Sequence, residues 1–351
     1  MNRVLRVLVV DDSAYIRKVV RQMLSRSPFI EVVGTARDGV EALELIEQLN
    51  PDVVTLDLMM AGMDGLSFLR EQMARRPIPV VVVSIANEGS EAVLQALDAG
   101  AVDFVQKPTA LATEKVFQIA DELIEKVKIA AEASLARVQA APRAAPAPLA
   151  SPALPAADVD IVVLGISTGG PQALKTLLPL LPADFAVPIA IVIHMPVGYT
   201  ELFAQKLDDL SPLTVREARE GALVAPGNVL VAPAGRHLLF QRQAGGAVTA
   251  HLDVRPIDSV HRPSVDVMFR SAAEVYGARV LGLVMTGMGA DGLQGAAWIK
   301  AQGGQIWTEA ESSCVVYGMP RAVDEAHLSD QRVPLDQMAQ ALVKGVTWLK
   351  S

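Results

Sequence analysis

A single cysteine, Cys314, occurs among 351 residues. One thiol closes no internal disulfide and builds no structural zinc site, so a reducing, cytoplasmic setting is expected. A basic excess is also missing: 31 Lys and Arg stand against 39 Asp and Glu, a net charge of -8. Without a basic face, direct binding of nucleic acid is not expected. No apolar run approaches the ~18 uninterrupted residues a membrane span needs. The apolar run that ends at Val10 leads into Asp11 and Asp12 rather than a small-residue cleavage site, so it reads as a first strand and not as a signal peptide. What the sequence has is material for cores, 51% hydrophobic residues against 20% charged. That balance excludes a mainly disordered protein, and the length favours two domains.

The chain divides where its composition shifts. Between Ala140 and Ala157, 18 residues contain 9 Ala and 5 Pro. Prolines remove amide donors and interrupt helices, so this stretch predicts an extended, semi-rigid tether. Before it, Lys115 to Val138 reads as a long helix; after it a new apolar strand begins at Asp160. The expected division is a first domain over 1–131, a linker over 132–157 and a second domain over 158–351.

In the first domain, short β-branched runs (Val7–Val10, Glu31–Gly34, Val53–Leu56, Pro79–Val83 and Val102–Val105) alternate with helical patterns such as Ala14–Leu24 and Gly39–Leu49. Five strand-helix repeats predict a parallel sheet covered on both faces, a flavodoxin-like α/β fold. The second domain repeats the alternation with Ile161–Leu164, Ile189–Ile193, Val229–Ala232 and Val280–Met285, and reads as a doubly wound, mostly parallel, Rossmann-like α/β sheet. In open sheets of this kind, ligands and chemistry sit at the carboxyl ends of strands.

Four predicted strand ends of the first domain carry Asp11 and Asp12, Asp57, Ser84 and Lys107. Three carboxylates held together call for a hard cation such as Mg²⁺, and a lysine and a hydroxyl opposite them suit a phosphoryl group. Each residue alone would be an ordinary solvated loop residue; their joint placement argues for a site. The strings VVDDS (9–13), LDLMMAGMDG (56–65), VVVSI (81–85) and DFVQKP (103–108) resemble the receiver domain of response regulators. The resemblance implies Asp57 as phospho-acceptor, Asp11, Asp12, Asp57 and the carbonyl of Met59 as Mg²⁺ ligands, Ser84 and Lys107 as phosphate sensors, and Phe104 as the switching aromatic. Ala61 stands where the family usually has proline.

The second domain offers a nucleophile. VLGISTGGPQAL (163–174) puts Ser167 between glycines, after a strand and before a helix opened by Pro171, so the hydroxyl stands exposed at a sharp elbow. The same turn is a distant relative of a dinucleotide-phosphate loop, but His194 at the end of the next strand favours the serine reading. Asp291 follows another strand in MTGMGADG (285–292). A neutral imidazole can take the serine proton, and a carboxylate can fix the imidazole tautomer. Alone, Ser167 would be a helix cap, His194 a satisfied core histidine and Asp291 the cap of the helix that follows it. The remaining histidines, 237, 251, 261 and 327, lack metal-ligand spacing and are expected on the surface or in loops. Cys314 is expected to be a small buried residue. HRPSVDVMF (261–269) either lines a substrate groove through Arg262 or caps a helix through Ser264.

GISTGGP, IHMPVGYT, RPSVDVMF, MTGMGADG and VVYGMPR resemble the catalytic domain of the CheB family of chemotaxis protein-glutamate methylesterases, and the receiver-linker-esterase order matches along the chain. Tyr199 stands where phenylalanine is common. The resemblance implies Ser167 as nucleophile, His194 as base, Asp291 as its orienting acid and the amide of Met288 as an oxyanion donor. It also implies an esterase without organic cofactor that demethylates, and deamidates, methylated chemoreceptors. A histidine kinase of the array would be the phosphodonor, and contact with membranes would run only through those receptors. A non-enzymatic signalling adaptor with a degenerate second domain is the competing class, and the three-residue constellation argues against it.

Overall fold

The computed structural model describes residues 3–84, 90–107, 114–133 and 159–347, with side chains from 119 onward in the third stretch and through 346 in the last. The chain forms two compact units, Met1–Gln139 and Ala140–Ser351. The Ala/Pro-rich tether and the last part of the long helix before it lie outside the described residues.

The first unit runs β1 (Leu5–Val10), α1 (Ala14–Leu24), β2 (Ile30–Ala36), α2 (Gly39–Leu49), β3 (Val53–Leu56), α3 (Gly65–Arg75), β4 (Val80–Ser84), α4 (Ser90–Asp98), β5 (Asp103–Gln106) and α5 (Glu114–Glu132). Its five strands pair in parallel in the order β2-β1-β3-β4-β5. β3 and β4 are buried along their whole length, as expected of strands covered by helices on both faces. Side chains set the helix starts: Ser13, Asp38 and Asp64 accept from the amides of Ile16, Glu41 and Ser67, satisfying donors that have no partner within the helix. Asn50 closes α2 in the left-handed conformation, φ 46°, one of the few non-glycine residues suited to it.

The second unit runs β6 (Ile161–Ile166), α6 (Gly170–Leu177), β7 (Ile189–Ile193), α7 (Thr200–Leu210), β8 (Thr214–Glu217), β9 (Asn228–Val231), β10 (His237–Arg242), β11 (Val248–Asp253), α8 (Val265–Tyr276), β12 (Val280–Val284), α9 (Leu293–Ala301), β13 (Gln305–Glu309), α10 (Met319–Glu325), β14 (Gln331–Val333) and α11 (Leu335–Thr347). Seven strands form one parallel sheet, β14-β13-β12-β6-β7-β9-β8, and β10 and β11 form a separate antiparallel pair. Val265, Met268, Phe269, Ala272 and Tyr276 of α8 pack with Ile161, Val163, Val280 and Val284 of the sheet into the main core.

The α/β class and parallel sheets follow the alternation of the sequence. Five strands of the second unit escaped the strand pattern. β8 and β14 are short edge strands with mixed burial, and β13 carries Gln, Thr and Glu. The β10–β11 hairpin interrupts the strand-helix beat altogether. His237 also departs from expectation: it is fully buried on β10, where its Nδ1 accepts from the Ser264 amide at 3.2 Å and its Nε2 lies 3.3 Å from the Pro256 carbonyl. Burial lowers its pKa and keeps it neutral, so it is a structural tie rather than a surface residue.

Candidate active site and phosphoacceptor pocket

Two clusters of polar side chains lie at the carboxyl ends of the two parallel sheets. In the first unit, β1 delivers Asp11 and Asp12, β3 delivers Asp57, β4 ends in Ser84, and Lys107 follows β5. Lys107 Nζ lies 2.7 Å from Asp11 Oδ2 and 2.7 Å from Asp57 Oδ2, with all three side chains nearly inaccessible. Backbone contacts fix the carboxylates: the Ser13 amide donates to Asp11 Oδ1 at 2.9 Å, and the Met59 amide to Asp57 Oδ1 at 3.3 Å. The Arg17 guanidinium bonds the carbonyls of Asp11 and Asp12.

Burial raises the pKa of Asp57; the Lys107 contact opposes this, and the neighbouring Asp11 charge adds to the rise. One carboxylate oxygen from each of Asp11, Asp12 and Asp57 falls within 4.8 Å of the others, an all-oxygen set of the kind a hard divalent cation takes. Asp12 is exposed and would reach the ion from the solvent side. Met59 is also exposed. The Ser84 hydroxyl is buried, with no hydrogen-bond partner among the described residues, so one donor stands ready beside the pocket. Phe104 is buried, its carbonyl accepting from Lys126 Nζ at 2.6 Å.

In the second unit, β6 lies between β12 and β7. The register pairs Ile166 with Ile193, so Ser167 and His194 leave the sheet at one level on adjacent strands, and the His194 amide donates to the Ile166 carbonyl. The backbone turns sharply after Ser167. Gly169 takes φ 80°, and a Cβ there would fall 2.6 Å from Val315 Cβ, so only glycine fits. A second close approach is made by Gly287, where a Cβ would sit 2.8 Å from Ser167 Cβ. The Ser167 amide donates to the Thr286 carbonyl at 3.0 Å. This brings the loop after β12 against the serine. The Thr286 amide in turn donates to the buried Glu309 at 2.9 Å. The next amide but one, that of Met288, has no acceptor among the described residues.

His194 Nε2 lies 2.8 Å from Asp291 Oδ2. With Nε2–H donating to the carboxylate, the other ring nitrogen, Nδ1, keeps its lone pair, and it is buried without a partner among the described residues. The structure thus joins imidazole and carboxylate directly. It places the serine on the adjacent strand end, and no hydrogen bond of its hydroxyl is formed to a described residue.

Asp291 does not cap the helix that follows it. Its carboxylate instead accepts from the amides of Val265 (2.8 Å) and Asp266 (3.0 Å) and from the Ser264 hydroxyl (2.9 Å), at the start of α8. Asp266 reciprocates by accepting from Gly292 (2.9 Å) and Gly295 (2.7 Å) at the start of α9. Two helix amino ends therefore exchange carboxylates, each anion meeting free amides and a favourable dipole. Burial alone would raise the pKa of Asp291, but the His194 contact and these amides lower it far below the usual carboxylate range. Asp266, half-buried and facing Asp291, is raised to about 6.

For HRPSVDVMF the structure gives the capping role to Ser264, which accepts from the Val267 amide. Arg262 donates from Nη2 to the Ile257 carbonyl. His261, expected to be an unremarkable loop residue, stacks on His194 with ring centroids 4.0 Å apart. No spacing rule foretells that contact, nor the grip of Val265 and Asp266 on Asp291. A cavity of about 450 Å³ near Glu201, Asp208, Arg216 and Leu230 shares no residue with either cluster.

A model of the CheB methylesterase family matches residues 162–342, and a model of the response regulator receiver domain matches residues 7–117. A Myxococcus xanthus protein named protein-glutamate methylesterase/protein-glutamine glutaminase 5 is 51% identical over 97% of this chain and 98% of its own. A Geobacillus kaustophilus protein named protein-glutamate methylesterase/protein-glutamine glutaminase is 45% identical over 97% and 99%. Among solved structures, the Thermotoga maritima CheB methylesterase catalytic domain superposes with a TM-score of 0.52 at 41% identity, covering 53% of this chain and 98% of that one.

Proposed function

Since the chain belongs to the CheB methylesterase family and carries a receiver domain ahead of its esterase, we propose that it hydrolyses glutamate γ-methyl esters on chemoreceptors under control of phosphorylation. The proposed division is a receiver over 1–131, a linker over 132–157 and an esterase over 158–351. The observation that carries the catalytic assignment is the 2.8 Å pairing of His194 Nε2 with Asp291, which leaves Nδ1 as an unpartnered acceptor on the strand end adjacent to the Ser167 elbow.

In this reading the Ser167 hydroxyl gives its proton to His194 Nδ1 while Oγ attacks the ester carbonyl. The negative charge that develops on the carbonyl oxygen is met by the Met288 amide, and Asp291 stabilises the imidazolium. As the tetrahedral intermediate collapses, the C–O bond to the methoxy group breaks and the imidazolium proton leaves with it as methanol. Water, deprotonated by the same nitrogen, then hydrolyses the acyl-serine and restores Ser167. With a receptor glutamine the sequence is identical except that ammonia leaves. Side chains, one amide and water account for every proton.

The receiver half supplies control. The phosphoryl group of a histidine kinase passes to the Asp57 carboxylate, and Ser84 and Lys107 hold its oxygens. Asp11, Asp12, Asp57 and the Met59 carbonyl would hold Mg²⁺, which offsets the carboxylate and phosphoryl charge when bound. Release of Lys107 from Asp57 towards the phosphoryl oxygens is the local charge change that raises esterase turnover. No helix among the described residues is long and apolar enough to cross a membrane. In this reading the enzyme is cytoplasmic, meets membranes only through its receptor substrates and, with a net charge of -8, does not engage nucleic acid.

Methanol release from methylated receptor membranes, measured with and without a small phosphodonor, tests both halves. Phosphodonor-stimulated release that disappears in Ser167→Ala is the expected result. Release by that variant at the parent rate overturns the catalytic assignment, and unstimulated release at a constant rate overturns the control.

A further inference from the structure

One short segment grips two members of the proposed triad. Ser264, Val265 and Asp266 hold the Asp291 carboxylate, and His261, just before them, lies flat on His194, ring planes 15° apart and centroids 4.0 Å apart. The segment is itself tied down. The Ser259 hydroxyl donates to the His261 carbonyl at 2.8 Å, the Gly235 amide donates to the Arg262 carbonyl at 2.9 Å, and Pro263 is buried.

A single hydrogen bond at Nε2 fixes one edge of the His194 ring. It leaves the ring free to rock about that contact, because the torsion that orients an imidazole is broad and roughly two-fold. A flat group against one face removes the rocking and excludes water from that face. We propose that His261 is a positioning residue for the esterase reaction: the stacked ring holds His194 in the plane that aims Nδ1 at the Ser167 hydroxyl. The proposal rests on the reading of His194 as the general base, and His261 need not touch the substrate. What the base requires of position 261 is then a flat ring, whatever its charge or hydrogen-bonding capacity.

The test uses the full chain, phosphodonor at saturation, and methanol release from methylated receptor membranes. His261→Ala is expected to lose about 10- to 100-fold in kcat, the scale of a small misplacement of a reacting group, with KM within about twofold of the parent. His261→Phe and His261→Tyr recover kcat to within about threefold, whereas His261→Leu, of similar bulk but not planar, does not. The proton shared by His194 and Asp291 supplies a readout independent of substrate. Its low-field NMR resonance stays sharp with phenylalanine at 261 and broadens or vanishes with alanine.

Equal kcat in the alanine, leucine and phenylalanine variants overturns the proposal, as does a loss that appears in KM alone. His194→Gln in the same assay separates the two readings. Parent-like activity there overturns the base assignment, while its loss, together with an unaffected His261→Ala, overturns only the positioning role.

Discussion

Asp57 and Asp291 are both buried carboxylates at the carboxyl end of a parallel strand, yet their protons are held in opposite ways. Around Asp57 the neighbours are a second carboxylate, Asp11, and one cation, Lys107; burial outweighs the cation and the pKa rises. Around Asp291 a second carboxylate, Asp266, is also close, but the imidazole, the Ser264 hydroxyl and two amides at the head of α8 outweigh it, and the pKa falls despite burial. A lysine side chain can change partners, whereas the amides at a helix end cannot. The receiver balances charge with a movable group and so can switch. The esterase balances it with fixed dipoles and so keeps one geometry through every turnover.

If that contrast is right, damage in the second unit should abolish chemistry, and damage in the first should abolish only its control. The largest expected effect is that of Ser167→Ala, a fall on the order of 10⁴ to 10⁶ in turnover, read as methanol release with an unchanged thermal midpoint. Asp291→Asn follows, at about 10³ to 10⁴, by analogy with the handling of the corresponding acid in serine proteases. Each carboxylate oxygen accepts an amide at the head of α8, Oδ1 from Asp266 and Oδ2 from Val265, so a carboxamide NH₂ meets a donor whichever way it turns, and with the NH₂ towards His194 the imidazole is held in the wrong tautomer. A loss below tenfold would show that the dipoles, rather than the charge they hold, were enough.

Asp57→Asn sharpens the other side. The ratio of methanol release with phosphodonor to release without it should fall to one. A two-state control worth 1–3 kcal/mol corresponds to a ratio of about 5 to 150 in the parent. Retention of stimulation would place the phosphoryl group elsewhere.

The two sites were not equally legible in the sequence. The receiver pocket could be read nearly whole, because each of its residues ends a β-branched run and the sheet edge does the assembling. The Ser167 elbow was legible for the same reason, its glycines marking a turn where backbone and neighbouring loop come close. Ser167 and His194 could be placed together by trusting that consecutive parallel strands lie side by side, whereas Asp291, 97 residues from His194, could be placed only at the same carboxyl edge of the sheet. What sequence could not reveal is which donors a carboxylate meets. Asp291 precedes a helix and looks like its cap, but the sheet order β12-β6-β7 and the packing of α8 against α9 hand it to the other helix. His237 was misjudged, and the stacking of His261 on His194 was not foreseen, for a related reason: histidine carries no periodic signature, and what it packs against is decided by residues remote in the chain.

The smallest effect concerns the exchange of carboxylates between α8 and α9, and it turns on sign. Asp266 has a folded-state pKa raised to about 6 from 3.8, by burial first and by the Asp291 charge as well. A raised acid pKa means the folded state binds this proton more tightly than the unfolded chain does. Asp266 therefore favours folding most below about pH 4 and loses that contribution as pH rises through 6. Asp291 runs the other way, its lowered pKa adding stability above about pH 4. Asp266→Asn keeps an oxygen for the amides of Gly292 and Gly295 and removes only the ionisation. Denaturant titrations should show the variant gaining on the parent by about 1 to 2 kcal/mol between pH 4 and pH 7, a figure reduced from the full shift to allow for solvent contact. A difference that does not change with pH would mean that Asp266 titrates as an ordinary surface carboxylate. The two helix ends would then hold two full negative charges, and the fixed-dipole account of Asp291 would have to carry both.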